Sequence, residues 1–298
     1  MASSEELSSE LQARYTHLLD ILRSYALQSQ GLVVAYSGGV DSAFLLAAAS
    51  VVFSSFKDSP HEHLELTALT AISESFPDWD RQSAREIAQH LGVRHLELPT
   101  KELENPQYRA NTGDRCFHCK TALFNLGDWA RQSEIYRLKG ALVYGAITND
   151  LGDYRPGMQA AKERQIQAPL IDANLDKEAV RRLSRYLGLS TWDKPASACL
   201  SSRFPQGIEV SAAALRQVGQ CESRMHLLGL QIVRARYHHD LVRLEFGEQE
   251  LQTVLSDEHL RTRVTKECKD LGFKFVSIDL EGYRSGSGNQ QTSLVVIQ

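Results

Sequence analysis

The stretch "LVVAYSGGVDSAFLLAAASVVF" (32–53) decides how this chain folds. Leu32 to Tyr36 form a short apolar run of strand type. Ala43 to Phe53 are almost wholly apolar and read as a buried helix. Between them lies "SGGVDS". The order strand, glycine turn, helix gathers backbone N–H groups and a positive helix end at one point, which favours an anion. Gly38 and Gly39 let the backbone approach a ligand without a Cβ in the way. Ser37 and Ser42 add hydroxyl donors. Asp41 is unexpected beside a polyanion, unless it orients the loop or contacts Mg2+. The spacing matches neither G-x-x-x-x-G-K-[ST] nor G-x-G-x-x-G, and no lysine follows the glycines.

Outward from this stretch the pattern alternates. A helix is expected over 5–28, with Leu11, Tyr15, Leu18, Leu19, Leu22 and Tyr25 near one face. Further strands are expected over 64–72, 93–98 and 140–147. Helices are expected over 78–91, 117–134 and 176–189, while 99–115 and 148–157 read as loops. Strand–helix alternation with right-handed crossovers gives an α/β fold: a parallel sheet flanked by helices. Ligands bind such sheets at the carboxyl ends of the strands. That places 37–42, 73–77, 99–120 and 145–155 around one crevice. The composition shifts near "TWDKPASACLSSRFPQG" (191–207). Beyond it a helix over 211–228, strands over 232–239, 241–247 and 273–280, and a helical stretch over 248–270 make a smaller α+β domain. The division is expected as 1–195 for the nucleotide domain and 196–298 for a substrate-binding or oligomerisation domain.

The bulk properties bound the function. The chain has 298 residues, 42% hydrophobic and 23% charged, with a net charge of −4, the balance of a soluble globular protein. A pI near 6.2 argues against a broad nucleic-acid-binding surface. No apolar run approaches the roughly 20 residues that span a bilayer. The acidic N-terminal residues include no apolar signal segment, so the expected setting is the cytoplasm, where thiols stay reduced. Five cysteines at irregular spacing are not a disulfide framework. Cys221 and Cys268 sit in helical patterns and read as small core residues. Cys116 and Cys119, in "GDRCFHCK" (113–120), stand three apart beside basic residues and a histidine. By themselves they fit a redox couple, half of a zinc site, an iron–sulfur clip or two buried small residues.

"SGGVDS" resembles the pyrophosphate loop of the PP-loop ATP pyrophosphatases, which have a Rossmann-like HUP fold and split ATP between its α- and β-phosphates to adenylate an acceptor oxygen. Together with "GAITNDLGDYRPG" (145–157), "KPASACLSSRFPQG" (194–207), "GDRCFHCK" and the terminal "GYRSGSGN", it resembles the LarE family over nearly the whole chain. These are ATP-dependent sulfur transferases that help build the nickel-pincer nucleotide cofactor of lactate racemase and related enzymes. The resemblance implies that Ser37, Gly38, Gly39, Asp41 and Ser42 hold the leaving pyrophosphate, that backbone near Ala35 and Ala71 holds adenine, and that Lys120 and Gly145 complete the ATP site. The implied substrate is pyridinium-3,5-biscarboxylic acid mononucleotide. ATP activates each carboxylate as an acyl adenylate, Mg2+ screens the phosphates, and sulfur converts the carboxylates to thiocarboxylates.

The resemblance also frames the sulfur source. In one branch of the family a cysteine matching Cys199 gives up its own sulfur. In another, three cysteines hold a [4Fe–4S] cluster that carries an extra sulfide. Cys116, Cys119 and Cys199 match the second branch, with sulfide or another sulfur donor as a partner. Arg234 and Arg236 alternate on a strand, so both are expected on one face, suited to a nucleotide phosphate. Glu222 and Glu245 resemble acids near the family's substrate site, and Arg203 and Arg284 sit in family-like motifs. Asp150 and Asp153 are candidates for Mg2+ or polar substrate atoms. His238 and His239 are neighbours on a strand, point to opposite faces, and read as a solvated turn. Nucleic acid and membranes are not expected partners; a homo-oligomer, often a hexamer built from trimers, is implied by the resemblance. The rival readings are sacrificial transfer from Cys199, a tRNA thiolase and an ammonia-using synthetase.

Overall fold

The computed structural model describes residues 7–152, 156–195 and 198–284. In chain order these run α1 (Ser9–Ser29), β1 (Gly31–Ala35), α2 (Val40–Ser54), β2 (Glu65–Ile72), α3 (Asp78–His90), β3 (Arg94–Pro99), α4 (Pro106–Ala110), α5 (Arg115–Gln132), β4 (Ala141–Tyr144), α6 (Pro156–Glu163), α7 (Pro169–Asp172) and α8 (Lys177–Tyr186). Then follow a 3-10 turn (Leu200–Arg203), α9 (Ala212–Leu227), β5 (Val233–His238), β6 (Leu241–Phe246), α10 (Glu248–Ser256), α11 (Glu258–Asp270) and β7 (Phe275–Ile278). They form two compact units. The first takes the described parts of Met1–Ser73, Trp79–Glu102 and Cys116–Ser197; the second takes those of Glu74–Asp78, Leu103–Arg115 and Ala198–Gln298. Two short segments from the first half of the sequence thus fold with the second unit.

The first unit is a parallel sheet in the order β3-β2-β1-β4. β1 is buried at all five positions because both of its faces are covered. Leu32 and Val34 join a core with residues of α1, α2, α3 and α8, whereas Val33 and Ala35 join a second core with Phe124 and Ala130 of α5 and Ala160 and Ala161 of α6. The period of two along β1 therefore divides one apolar strand between two helix layers. α1 buries Leu11, Tyr15, Leu18, Leu22 and Ala26, one stripe at helical spacing, and Ser8 caps it by accepting from the Leu11 N–H at 3.3 Å. α2 is apolar nearly all round, and Phe44, Leu45 and Leu46 are fully buried.

The second unit holds a three-stranded sheet in the order β5-β6-β7, with β5 antiparallel and β7 parallel to β6. Cys221 on α9 and Cys268 on α11 are buried, as their helical patterns lead one to expect.

Three segments depart from the sequence reading. Residues 99–115 are not all loop, since α4 forms there, with Asn105 as N-cap and Pro106 at its first position. Helix also appears at α6, where the loop after β4 was expected to run on to 157. The stretch 248–270 is two helices, because Asp257 leaves the helical conformation and its carboxylate caps α11 through the Leu260 N–H at 3.0 Å. Among the described residues no helix is long and apolar enough to cross a membrane.

One ion cluster ties α3 to β3. Arg81 Nε and Nη2 donate to Glu97 Oε2 at 3.1 and 2.8 Å, and Arg85 Nε donates to Oε1 at 2.8 Å. Burial works against the charged carboxylate, but the two guanidiniums outweigh it and hold the Glu97 pKa down at about 2. A depressed carboxylate stabilises the fold fully above its ordinary value of 4.5 and loses that contribution as the pH falls towards about 2. Glu97→Gln is therefore expected to flatten the loss of stability across that window. Denaturant midpoints taken through it check this, and parallel wild-type and variant curves would contradict it.

Candidate functional site

In the first unit, Tyr36 fixes where the glycine loop begins. Its N–H donates to Leu69 O at 2.8 Å, its carbonyl accepts from Thr70 Oγ1 at 2.7 Å, and its hydroxyl donates to Ala84 O at 3.0 Å. The chain then turns through Gly38 at φ +70°. A Cβ there would meet the Ala84 Cβ at 2.7 Å, so conformation and space both require glycine. Ser42 Oγ accepts from the Ser37 N–H at 3.2 Å, lies 3.1 Å from Ser37 Oγ and donates to Gly39 O at 3.1 Å. The hydroxyls thus close the loop on itself. Gly39 is the N-cap of α2 and supplies no side-chain cap. The first turn of this 15-residue helix therefore has no side-chain cap, a helix end of the kind that suits an anion.

β4 closes the other side of the loop. A Cβ on Gly145 would stand 3.0 Å from the Ser42 N and 3.1 Å from the Asp41 carbonyl carbon, so a side chain there would press on the loop backbone. Ala35 and Ala71 lie at or near the carboxyl ends of β1 and β2. Lys120 of α5 lies with its Nζ 6.0 Å from the centre of the Tyr144 ring, at the end of β4. Asp150 Oδ2 accepts from the Ile147 N–H at 3.0 Å and braces the turn after β4. Asp153 falls outside the described residues.

The sequence did not foretell Lys177. Its Nζ lies 2.8 Å from each carboxylate oxygen of Asp41, and its backbone N–H donates to Asn149 Oδ1 at 2.7 Å. Asp41 suits the first turn of α2 but opposes a phosphate; Lys177 cancels that charge. One signal was present: a lysine in the first turn of a helix, where the helix dipole favours acids. Cys116 and Cys119 stand in the first turn of α5, three apart and so on neighbouring positions of one face; neither forms a disulfide, the first is exposed and the second half-buried.

In the second unit the turn bearing Cys199 is clamped at nearly every carbonyl. Arg203 is 2% exposed and Glu222 is fully buried. Arg203 Nε and Nη2 donate to the two oxygens of Glu222 at 2.8 and 2.9 Å. Its Nη1 donates to Ala198 O at 2.8 Å, Cys199 O at 3.3 Å and Ser202 Oγ at 2.9 Å. Glu222 also accepts from the Ala235 N–H at 2.8 Å. Burial pulls the Arg203 pKa down, but the facing Glu222 carboxylate outweighs it and the pKa is raised. Arg236 Nη1 donates to Ser202 O at 2.9 Å and its Nη2 to Glu245 Oε2 at 2.7 Å. Arg243 lies 3.2 Å from the other Glu245 oxygen. Arg115 Nη1 donates to Ser201 O at 2.7 Å, and Asn111 Nδ2 donates to Pro205 O at 2.8 Å. Tyr108 and Ser201 share a hydroxyl contact at 2.6 Å. Cys199 is left half-buried at the head of a fixed turn.

The expected pairing of Arg234 with Arg236 is thus divided. Arg236 is buried in ion pairs, whereas Arg234 is half-buried, donates to Val233 O at 2.8 Å and lies 4.7 Å from the centre of the Tyr283 ring. Arg284 pairs with Glu281 near the end of the described chain. Among the described residues no three His, Cys, Asp or Glu side chains gather as a metal-binding group.

A parallel α/β unit whose first strand delivers a glycine loop to an uncapped helix end is the arrangement expected of the PP-loop fold. No family model matches the chain. An uncharacterised Synechocystis protein, slr1717, is 37% identical over 91% of this chain and 97% of its own length. The pyridinium-3,5-bisthiocarboxylic acid mononucleotide synthase of Lactiplantibacillus plantarum is 34% identical over 87% of this chain and 89% of its own length. The chain belongs to the LarE family of ATP-dependent sulfur transferases. Among solved structures, the NMN synthetase of Francisella tularensis superposes with a TM-score of 0.44 at 18% identity, over 90% of this chain and 95% of that one, a likeness too slight to decide anything about the site.

Two outcomes follow from the geometry. Lys177→Met exposes the Asp41 charge to the phosphates and is expected to weaken ATP binding about tenfold or more, with Asp41→Asn restoring part of the loss; titration of ATP against the single and double variants measures this. Glu222→Gln leaves the Arg203 guanidinium buried without its counter-charge and is expected to cost about 3–5 kcal/mol in urea unfolding, whereas the pair Arg203→Met with Glu222→Leu costs less. A double variant as unstable as the single would show that the pair is not the unit of stability.

Proposed function

We propose that this enzyme adenylates the two carboxylates of a pyridinium-3,5-biscarboxylic acid mononucleotide and converts each to a thiocarboxylate. The observation that carries the ATP half is the self-closed loop before the uncapped end of α2, with Asp41 neutralised by Lys177. The substrate class rests on kinship with the Lactiplantibacillus plantarum enzyme. In this reading the carboxylate oxygen attacks the α-phosphorus of ATP and the α–β bridge breaks. The loop amides and the Ser37 and Ser42 hydroxyls stabilise the charge that collects on pyrophosphate. Gly145 and the backbone near Ala35 and Ala71 hold the adenosine, and Lys120 meets the phosphates. A sulfur nucleophile then attacks the acyl carbon, and AMP leaves with its electron pair. Both Asp41 oxygens are engaged by Lys177, so Asp41 is not assigned to Mg2+, which would screen the phosphates of the nucleotide.

For the sulfur half we assign Cys116, Cys119 and Cys199 to a [4Fe–4S] cluster. The donor chemistry fits: none of these three thiols is in a disulfide and each is at least partly exposed, unlike the buried Cys221 and Cys268. Cys116, Cys119 and Cys199 would hold the cluster, which when bound would supply a site for an exchangeable sulfide. The protein's own part is to hold the thiols. In the second unit Arg203, Arg236 and Arg115 fix the turn that carries Cys199. Arg234 is assigned to the substrate phosphate. Arg203, Glu222, Arg236 and Glu245 support it from the ion pairs beneath, and Arg284 belongs to the same end of the chain. The reading places the enzyme in the cytoplasm as a homo-oligomer, with sulfide or a sulfur carrier as its partner.

A second reading has its own support. The clamp centres on Cys199 alone, which suits a cysteine that is itself consumed. Anaerobic purification with iron and sulfide counting, on wild type and Cys116→Ala, separates the two. We expect iron in the wild type, its loss in the variant, and pyrophosphate release that requires the pyridinium dicarboxylate. An iron-free wild type that turns over once, with Cys199 losing the elements of hydrogen sulfide, overturns the cluster; absence of substrate-dependent pyrophosphate overturns the enzyme reading itself.

A further inference from the structure

β3 is an edge strand of its sheet, two strands away from β1, yet the glycine loop leans on it by two routes. The first runs through α3. Glu97 of β3 holds Arg81 and Arg85, and the same helix presents Ala84, whose carbonyl accepts from the Tyr36 hydroxyl and whose Cβ a side chain on Gly38 would meet. The second begins at His95, two residues before Glu97 and so on the same face of β3. Its ring is half-buried and stands at 77° to the Tyr36 ring, with 5.4 Å between centres. His95 Nε2 lies 2.8 Å from Thr70 Oγ1. Thr70 is buried, and its hydroxyl lies 2.7 Å from the Tyr36 carbonyl oxygen.

These distances fix where the protons stand. A hydroxyl has one proton to give and a carbonyl has none. The Thr70 proton goes to the Tyr36 carbonyl, so the Thr70 oxygen accepts from the ring and His95 carries its proton on Nε2. Burial holds the His95 pKa below its ordinary value, with Arg85 and Arg81 adding to the effect and Glu97 opposing it. The ring is therefore neutral near neutral pH, and the Nε2 proton is its only one. The peptide that joins Tyr36 to Ser37 is planar, so its C=O and N–H point opposite ways and turn together. By holding the carbonyl, Thr70 sets the direction of the Ser37 N–H, which donates to Ser42 Oγ at 3.2 Å. Ser42 Oγ in turn donates to Gly39 O at 3.1 Å. Every bond of the series runs in one sense, from the edge strand to the glycine loop, the arrangement in which hydrogen bonds strengthen one another.

We propose that His95 is a positioning residue for ATP: its Nε2–H orients the Thr70 hydroxyl, and Thr70 holds the Tyr36–Ser37 peptide so that the loop is set to receive the phosphates. The proposal rests on the chain being an ATP-splitting enzyme. His95 takes no part in the chemistry; it acts through a threonine and a peptide plane. A donor is what its position requires. Glutamine can supply one from its Nε2, and leucine cannot. In the same way serine keeps the hydroxyl of Thr70, and valine removes it.

The test is calorimetric titration of the full chain with magnesium ATP. His95→Leu and Thr70→Val are each expected to weaken binding about tenfold, and His95→Gln and Thr70→Ser to recover most of it. His95→Leu combined with Thr70→Val is expected to bind no worse than either single variant, because both break the same series. Unchanged binding in His95→Leu overturns the proposal. So do losses that multiply in the double variant, and so does an equal loss for leucine and glutamine, which marks packing alone. Nitrogen NMR of the histidine-labelled wild type reads the tautomer with no destabilising change, the His95 signals being those lost in His95→Gln. Protonation at Nε2 is expected, and protonation at Nδ1 overturns the series. Variants that follow this pattern in an enzyme that releases no pyrophosphate with any carboxylate substrate would leave His95 in its role and remove the proposed function.

Discussion

The uncapped N-terminus of α2 is the constraint on which the first unit depends. A buried helix whose first amides lack side-chain partners is costly unless something else meets them. The protein arranges its neighbours around that end. Tyr36 fixes the end of β1 with three hydrogen bonds, Gly38 lets the turn pass against α3, and Gly145 lets the end of β4 reach the Ser42 amide. Ser37 and Ser42 bond to each other and so close the loop on itself. Preorganisation of this kind spares the cost of ordering donors during the reaction.

The second unit solves a different problem with different chemistry. Its task is to hold one turn, and it uses charge where the first unit uses glycine. Arg203, Arg236 and Arg115 each commit part of their planar donor set to backbone carbonyls of residues 198–202. A guanidinium suits this because it bonds in several directions at once. Buried in low dielectric, Arg203 and Arg236 each need a counter-charge, and Glu222 and Glu245 supply it. Acids and arginines that look like ligand groups in the sequence are therefore also the frame beneath the cysteine.

How much of this the sequence disclosed depended on range. β1, the glycine loop and α2 were legible because strand, turn and helix signals stand side by side within residues 32–53. The stripe on α1 was legible for the same reason. α4 was not, since a helix of five residues has too few turns to show a period. Lys177 was missed because its partner lies 136 residues away. The Arg203–Glu222 pair spans only 19 residues, yet it joins a turn to a helix, and no periodicity links them. Local elements speak through local patterns, whereas ion pairs that organise a site are set by tertiary packing.

The same distinction separates arginines that look alike in the sequence. Where a guanidinium meets a carboxylate below solvent reach, as in Arg203–Glu222, its charge is already answered and its spare donors hold backbone. Along α8 the guanidinium of Arg181 is committed otherwise, to the carbonyls of Trp192 and Lys194. A count of arginines could not have told these cases apart. The partner of each group does: a carboxylate for Arg203, backbone carbonyls for Arg181 and, for Lys177 on the same helix as Arg181, both oxygens of Asp41 at the start of α2.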